Sequence, residues 1–154
     1  MLDAVMLWLS QWGLLIPIAC VLLTKDRKAI ITALISFIIT YGLSDVIKGI
    51  VVRPRPFAVG DAQLIGPQPS DQWSFPSKHA STSFSLATSV VLNQRILGWI
   101  ALISAILISY SRVYLGVHYW SDILAGAVLG STVTYVTARV IRHLESRNNK
   151  RKRK

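Results

Sequence analysis

The sequence predicts an all-α fold: a polytopic membrane bundle of about five transmembrane helices in a single domain. Three observations predict it. The chain is 52% hydrophobic, with a mean hydropathy of +0.46. Its charged residues are clustered, so that long stretches carry none. Those stretches are apolar around most of a helical circumference, whereas a helix on a soluble core would show a polar stripe. The 17 Lys and Arg against 7 Asp and Glu give a net charge of +10. Alone, that charge would point to nucleic acid, but basic nucleic-acid-binding domains are usually polar, so no nucleic-acid partner is expected. The apolar content excludes a disordered chain. The one cysteine, Cys20, excludes an internal disulfide framework and a multi-cysteine metal site.

The charge-free runs, in order, are Ala4–Thr24, Ala29–Ser44, His79–Gln94, Ile96–Ser111 and Ile123–Ala138. The first is long enough to cross a bilayer by itself, since a crossing takes ~20 mostly apolar residues. The other four hold 16 residues each and lengthen at their ends, where Lys and Arg side chains snorkel to the interface. The first run is not read as a secretory signal, because Asp3 stands where a basic segment is expected. Five such runs leave no room for a soluble domain. The domain organisation that follows is a transmembrane domain over residues 1–142 and a basic cytoplasmic tail over residues 143–154.

Orientation follows from the Lys and Arg bias of the loops. Lys25, Arg27 and Lys28 lie in the first loop, Arg95 in the third, and eight basic residues from Arg139 to Lys154 close the chain. With five crossings these places share one side, which the positive-inside rule assigns to the cytoplasm. The N-terminus and the second and fourth loops then face outward. Lys48, Arg53, Arg55, Lys78 and Arg112 fall on that outer side, against the bias, and call for a second explanation.

Their neighbours supply a chemical one. Lys48 and Arg55 are seven apart, and Pro54 and Pro56 end the helix between them. After a loop rich in Gly, Pro, Asp and Gln comes Pro76-Ser77-Lys78-His79, where a helix begins. Its free N–H groups and dipole favour an anion. The third piece runs from Ser111-Arg112 through Gly116 to His118 and Asp122. His118 and Asp122 are four apart and share a helical face. A carboxylate on one ring nitrogen fixes the tautomer and frees the other nitrogen as nucleophile or base.

Three outer segments thus offer Lys48, Arg55, Lys78 and Arg112 as cations beside His79, His118 and Asp122. Guanidinium groups bind phosphate oxygens bidentately. Phosphoryl transfer needs charge neutralisation, a nucleophile and an acid. No carboxylate cluster suited to Mg²⁺ is evident on this side, so the simpler mechanism uses no metal and no cofactor. Taken singly, each element also has an ordinary reading. Lys48, Arg53 and Arg55 would serve as interfacial anchors, Ser77 as a helix cap, and His118/Asp122 as a structural pair. Tyr110, Tyr114, Tyr119 and Trp120 read as an interfacial aromatic belt, and His143 as solvated. The convergence on two outer loops carries the argument.

These three segments resemble the signatures of the type 2 phosphatidic acid phosphatase family, membrane relatives of the vanadium haloperoxidases. The first signature is Lys, six residues, Arg-Pro, found here as Lys48 to Arg55-Pro56. The second, Pro-Ser-Gly-His, reads Pro76-Ser77-Lys78-His79, with Lys78 for the usual Gly. The third, Ser-Arg, five residues, His, three residues, Asp, reads Ser111-Arg112 to His118 and Asp122. The resemblance spans about residues 48–130. It implies a haloperoxidase-like helical fold. It implies that Lys48, Arg55 and Arg112 bind phosphate, with hydrogen bonds from Ser77 and the backbone of Lys78. It implies that His118 attacks phosphorus, that Asp122 orients it, and that His79 protonates the leaving oxygen and then activates water. Many members have six spanning helices against five here, the difference falling before the signatures.

The expected partner is a lipid phosphate or diphosphate in the bilayer, and the outward site and the Arg53-Pro54-Arg55-Pro56-Phe57 run most resemble bacterial undecaprenyl-diphosphatases. That implies an inner (plasma) membrane location, with the site on the outer face and the C-terminus in the cytoplasm. Phosphatidylglycerophosphate or phosphatidate phosphatase is the alternative within the class. A vanadium haloperoxidase-like enzyme and a non-catalytic lipid-binding or transport protein are the alternatives outside it. The sequence leaves the lipid tail, the phosphate number and the oligomeric state open.

Overall fold

The computed structural model describes residues 1–152; Arg153 and Lys154 of the expected tail lie outside the described residues. Among those residues the secondary structure is helical: α1 (Leu2–Trp12), α2 (Leu15–Leu23), α3 (Arg27–Val51), α4 (Pro56–Val59), α5 (Lys78–Val91), α6 (Arg95–Tyr114) and α7 (Trp120–Lys152). α3, α6 and α7 are each long and apolar enough to cross a membrane. α1 and α2 make a fourth crossing if taken as one span, bent by 52°. The sequence reads Ala4–Thr24 as one run; the bend falls at Gly13, which separates the two helices.

The fifth segment, α5, has 14 residues, or about 21 Å at 1.5 Å per residue. That is less than the ~30 Å hydrocarbon core. The helices α2, α3, α6 and α7 pack around it, so it lies inside the bundle rather than on its surface. Its face is small and polar: Ser81, Thr82, Ser83, Ser85 and Ser89 are buried. α3 answers with Thr32, Ser36, Thr40, Ser44 and Lys48, all buried and four apart, hence on one face. The Ser44 and Ser81 hydroxyls pair at 2.8 Å, Ser85 Oγ donates to Ser36 Oγ at 3.1 Å, and Ser85 pairs with Thr134 of α7 at 2.9 Å. In lipid no hydrophobic force drives helices together, so small residues and interhelical hydrogen bonds do so. Gly130 lets α7 meet α5 backbone to backbone, since a Cβ there would collide with the Ser81 carbonyl. This ladder fixes Lys48, the last member of the α3 face, beside the N-terminus of α5.

The two ends of the bundle differ. Gln94, in the α5–α6 turn, donates from Nε2 to the Thr24 carbonyl at 3.1 Å, and Lys28 pairs with Glu145 of α7 at 2.7 Å. The first loop, the α5–α6 turn and the C-terminal part of α7 therefore share one end. At the other end Met6, Leu9, Leu115 and Val117 form a small core with Phe57, Leu64 and Ile65, pinning the long loop to the α6–α7 connection. Gly116 turns that connection at φ +72°, and a Cβ there would strike the Gln63 carbonyl. Around the bundle Leu34, Ile38, Ile50, Ile96, Leu124 and Val128 stand exposed. An apolar surface of that extent is a lipid-facing one rather than a water-facing one. Cys20 packs in the core, and His143 is exposed.

Candidate active site

The site begins where α3 stops. Val52 adopts a left-handed conformation and donates its N–H to the Lys48 carbonyl at 3.1 Å. Pro54 and Pro56 prevent further helix, so Arg53 to Arg55 run extended. Ser74 N–H donates to the Arg53 carbonyl at 2.8 Å, and Pro54 bridges to Trp73. The long loop is thereby stitched back onto this segment.

Lys48 and Arg55, both buried, meet at one carboxylate. Lys48 Nζ lies 3.0 Å from Asp71 Oδ2, and Arg55 Nη2 pairs with Asp71 Oδ1. The loop backbone joins in: Arg55 Nε donates to the Asp71 carbonyl at 3.0 Å, and Lys48 Nζ donates to the Trp73 carbonyl. Burial pushes the Asp71 pKa up, but the charges of Arg55 and Lys48 outweigh it and hold the carboxyl below its usual range.

Ser77 caps α5, its Oγ accepting from Ala80 N–H at 3.4 Å, and its own N–H donates to the Asp122 carbonyl at 3.1 Å. Lys78 pairs with Asp45 and lies 4.6 Å from the centre of the Tyr41 ring. Its ammonium is therefore partly neutralised. Arg112 reaches Ser10 Oγ through Nη1, while its buried Nε has no hydrogen-bond partner among the described residues.

His118 stands in the connection between α6 and α7, 3% exposed. Its Nδ1 is 3.4 Å from Asp122 Oδ2, and its Nε2 is 3.3 Å from Arg55 Nη1. Burial lowers the His118 pKa to about 4, assisted by Arg55, Arg112 and Lys48 and opposed by the hydrogen bond to Asp122. The imidazole is neutral at pH 7, with Nε2 beside a guanidinium and Nδ1 on a carboxylate. Asp122 Oδ2 also accepts from Tyr119 N–H at 2.9 Å. Its Oδ1 faces Arg53 Nη1 at 3.0 Å.

A cavity of about 390 Å³ gathers six of the eight predicted residues: Lys48, Arg55, Lys78, His79, Arg112 and His118. Ser77 and Asp122 stand behind its wall. Two residues were not assigned a role from the sequence. Asp71 is one acid in an irregular loop, and nothing in its local spacing marks it. Arg53 carried a signal: in an extended chain alternate side chains point opposite ways, so Arg53 turns from Arg55 toward Asp122.

The PAP2 superfamily profile matches residues 29–145. The chain is 38% identical over 146 residues to the undecaprenyl-diphosphatase of Sulfolobus acidocaldarius, covering 90% of this chain and 70% of that one. It is 26% identical over 142 residues to undecaprenyl-diphosphatase BcrC of Bacillus subtilis, covering 88% and 72%. Aquifex aeolicus LpxE superposes with a TM-score of 0.77 at 26% identity, over 90% of this chain and 86% of that one. The PAP2-type phosphatidylglycerolphosphate phosphatase of Bacillus subtilis, with a TM-score of 0.69 at 24% identity over 92% and 77%, shares the fold. With the three motifs gathered around one cavity in a bundle of that fold, the chain belongs to the PAP2 superfamily: it is a multi-pass membrane phosphatase, a hydrolase of lipid phosphate.

Proposed function

We propose that this enzyme cleaves the terminal phosphate of a lipid diphosphate, converting undecaprenyl diphosphate to undecaprenyl phosphate through a phosphohistidine on His118. The observation that carries the reading is the place of His118 at the cavity wall, with its Nδ1 3.4 Å from the buried Asp122 carboxylate. Nδ1–H stays on the carboxylate side, so the Nε2 lone pair is the one free to attack. The terminal phosphate enters between Lys48, Arg55 and Arg112 and takes the place of the Asp71 carboxylate. Arg112 Nε supplies a donor that lacks a protein partner. Ser77 Oγ and the Lys78 N–H add hydrogen bonds at the helix N-terminus.

His118 Nε2 forms a bond to phosphorus as the bond to the bridging oxygen breaks. Asp122 stabilises the positive ring. His79 gives its proton to the leaving oxygen, then takes one from water. That water's oxygen attacks phosphorus, the N–P bond breaks, and inorganic phosphate leaves with His118 restored. The three cations neutralise the transferring group, and no cofactor is required.

The lipid tail is accommodated beside the site. Leu14, Phe37 and Tyr41 form the apolar wall of the cavity. Phe37 also lines an apolar groove with Ile18, Val21, Leu22, Ile30, Leu34 and Leu86, so a chain can lie between α2 and α3 while its phosphate is held. The site belongs to the outer face of the plasma membrane, opposite the basic end. Residues 1–142 form the phosphatase domain, and residues 143–154 lie in the cytoplasm, where their charge meets anionic headgroups.

A phosphate-release screen in detergent tests the substrate. Undecaprenyl diphosphate should give the highest kcat/KM. A higher value for phosphatidylglycerol phosphate or phosphatidate would reassign it.

A further inference from the structure

Arg53 belongs to none of the three motifs and does not line the cavity. Its guanidinium nevertheless makes three contacts at the back of the site. Nη1 is 3.0 Å from Asp122 Oδ1 and 2.7 Å from Ser121 Oγ, and the group lies 3.9 Å from the centre of the Tyr119 ring. Asp122 itself is fully buried. We propose that Arg53 is a positioning residue for the phosphatase reaction: it holds Asp122 ionised and turned toward His118, and so keeps the proton off His118 Nε2 down to mildly acidic pH.

The argument rests on the roles proposed above for His118 and Asp122. A buried carboxylate needs a counter-charge. Two are within reach of Asp122: Arg53, which is always charged, and His118, charged only when protonated. With Arg53 on Oδ1, Asp122 is neutralised without His118. The ring donates Nδ1–H to Oδ2 and keeps its Nε2 lone pair. Without Arg53, an imidazolium becomes the better counter-charge as pH falls, and its second proton sits on Nε2 and blocks attack.

Other groups face His118 from each neighbouring element. Lys48 on α3, Arg55 before α4, and Arg112 on α6 disfavour its protonation. Asp71 in the loop pairs with Lys48 and Arg55, and His79 on α5 lines the same cavity. A bound phosphate cancels the charge of the three cavity cations. Arg53, outside the cavity and behind Asp122, is the cation that phosphate does not neutralise. Its influence on His118 therefore persists in the substrate complex.

The test compares Arg53→Gln and Arg53→Lys with the parent enzyme from pH 5 to pH 9, by phosphate release in detergent. The readout is the variant-to-parent ratio of kcat/KM, in which the substrate's own ionisation cancels. For Arg53→Gln the acid limb should move up by about one to two pH units, the scale of one opposite charge. At pH 5 the ratio should fall to between about one half and one tenth, and it should level off above about pH 8. Arg53→Lys should restore much of the limb. Where turnover is too low to follow, the His118 titration read by NMR with labelled histidine should move up by the same amount. A ratio flat across pH with an unmoved His118 titration would overturn the proposal, because a merely structural role lowers activity equally everywhere. A His118→Gln control separates the two claims. If it turns over, the nucleophile reading fails. If it is inactive while Arg53→Gln shows no shift, Arg53's role alone fails.

Discussion

His118 Nδ1 lies 3.4 Å from Asp122 Oδ2, and neither side chain is more than 2% exposed. The pair spans the α6–α7 connection and the first turn of α7. Their i,i+4 spacing brings them together, and the turn at Gly116 points the ring into the cavity. The geometry ties one carboxylate to one tautomer.

Asp122→Asn keeps the shape and removes the charge. The amide competes for the ring with either its oxygen or its NH₂, and the positive ring formed on attack loses its counter-charge. We expect kcat to fall by about 10³ to 10⁴, the scale for a tautomer-fixing aspartate, with KM changed much less. Phosphate-release kinetics check this. A loss confined to KM would assign Asp122 to binding.

Asp71 occupies the place proposed above for the phosphate. As a tethered anion it competes with substrate and product alike at high effective concentration. Asp71→Asn should therefore lower the KM for lipid phosphate and the Ki for inorganic phosphate by a common factor, roughly tenfold for the charge lost from its pairs with Lys48 and Arg55. Initial-rate kinetics with added phosphate measure both. If Asp71 merely braces Lys48 and Arg55, both constants rise instead.

The pH dependence of stability follows from His118. Its pKa is about 4 in the folded chain, below the ordinary ~6.5. Between those values the unfolded chain binds the extra proton, so stability is full above the ordinary pKa and falls as pH drops toward 4. Thermal unfolding in detergent should show Tm decreasing over that window. His118→Gln should flatten the decrease; an identical slope in the variant would locate the titrating group elsewhere.

The basic end of the bundle carries the topology prediction. A tag placed after Lys154 should resist protease added to intact cells and be cut once the membrane is opened. Cleavage in intact cells would reverse the orientation.

Much of this was legible in the sequence, for reasons that differ by residue. Lys48, Arg55, Arg112, His118 and Asp122 lie close to helix ends or within one turn, where spacing fixes geometry. The small polar residues of α3, four apart, and those of α5 lie in runs that the sequence marks only as charge-free and apolar. That they make one hydrogen-bonded ladder needed the packing, as did the shortness of α5. Val52, β-branched, takes the left-handed conformation that ends α3, so the stop depends on Pro54 and Pro56 rather than on a glycine. Asp71 was illegible because its partners are 16 and 23 positions away, through a loop closed by Ser74 and Trp73. Lys78 was read as an added phosphate cation; its pairing with Asp45 across helices diverts part of that charge.

In the proposed mechanism phosphorus passes through His118, and this step can be trapped directly. It is tested by mixing the enzyme with lipid diphosphate labelled in its terminal phosphate, quenching in alkali during turnover, and mapping the label by mass spectrometry. An alkali-stable, acid-labile phosphate should appear on His118 and be absent from His118→Gln. Label on another residue, or turnover retained by His118→Gln, would contradict it.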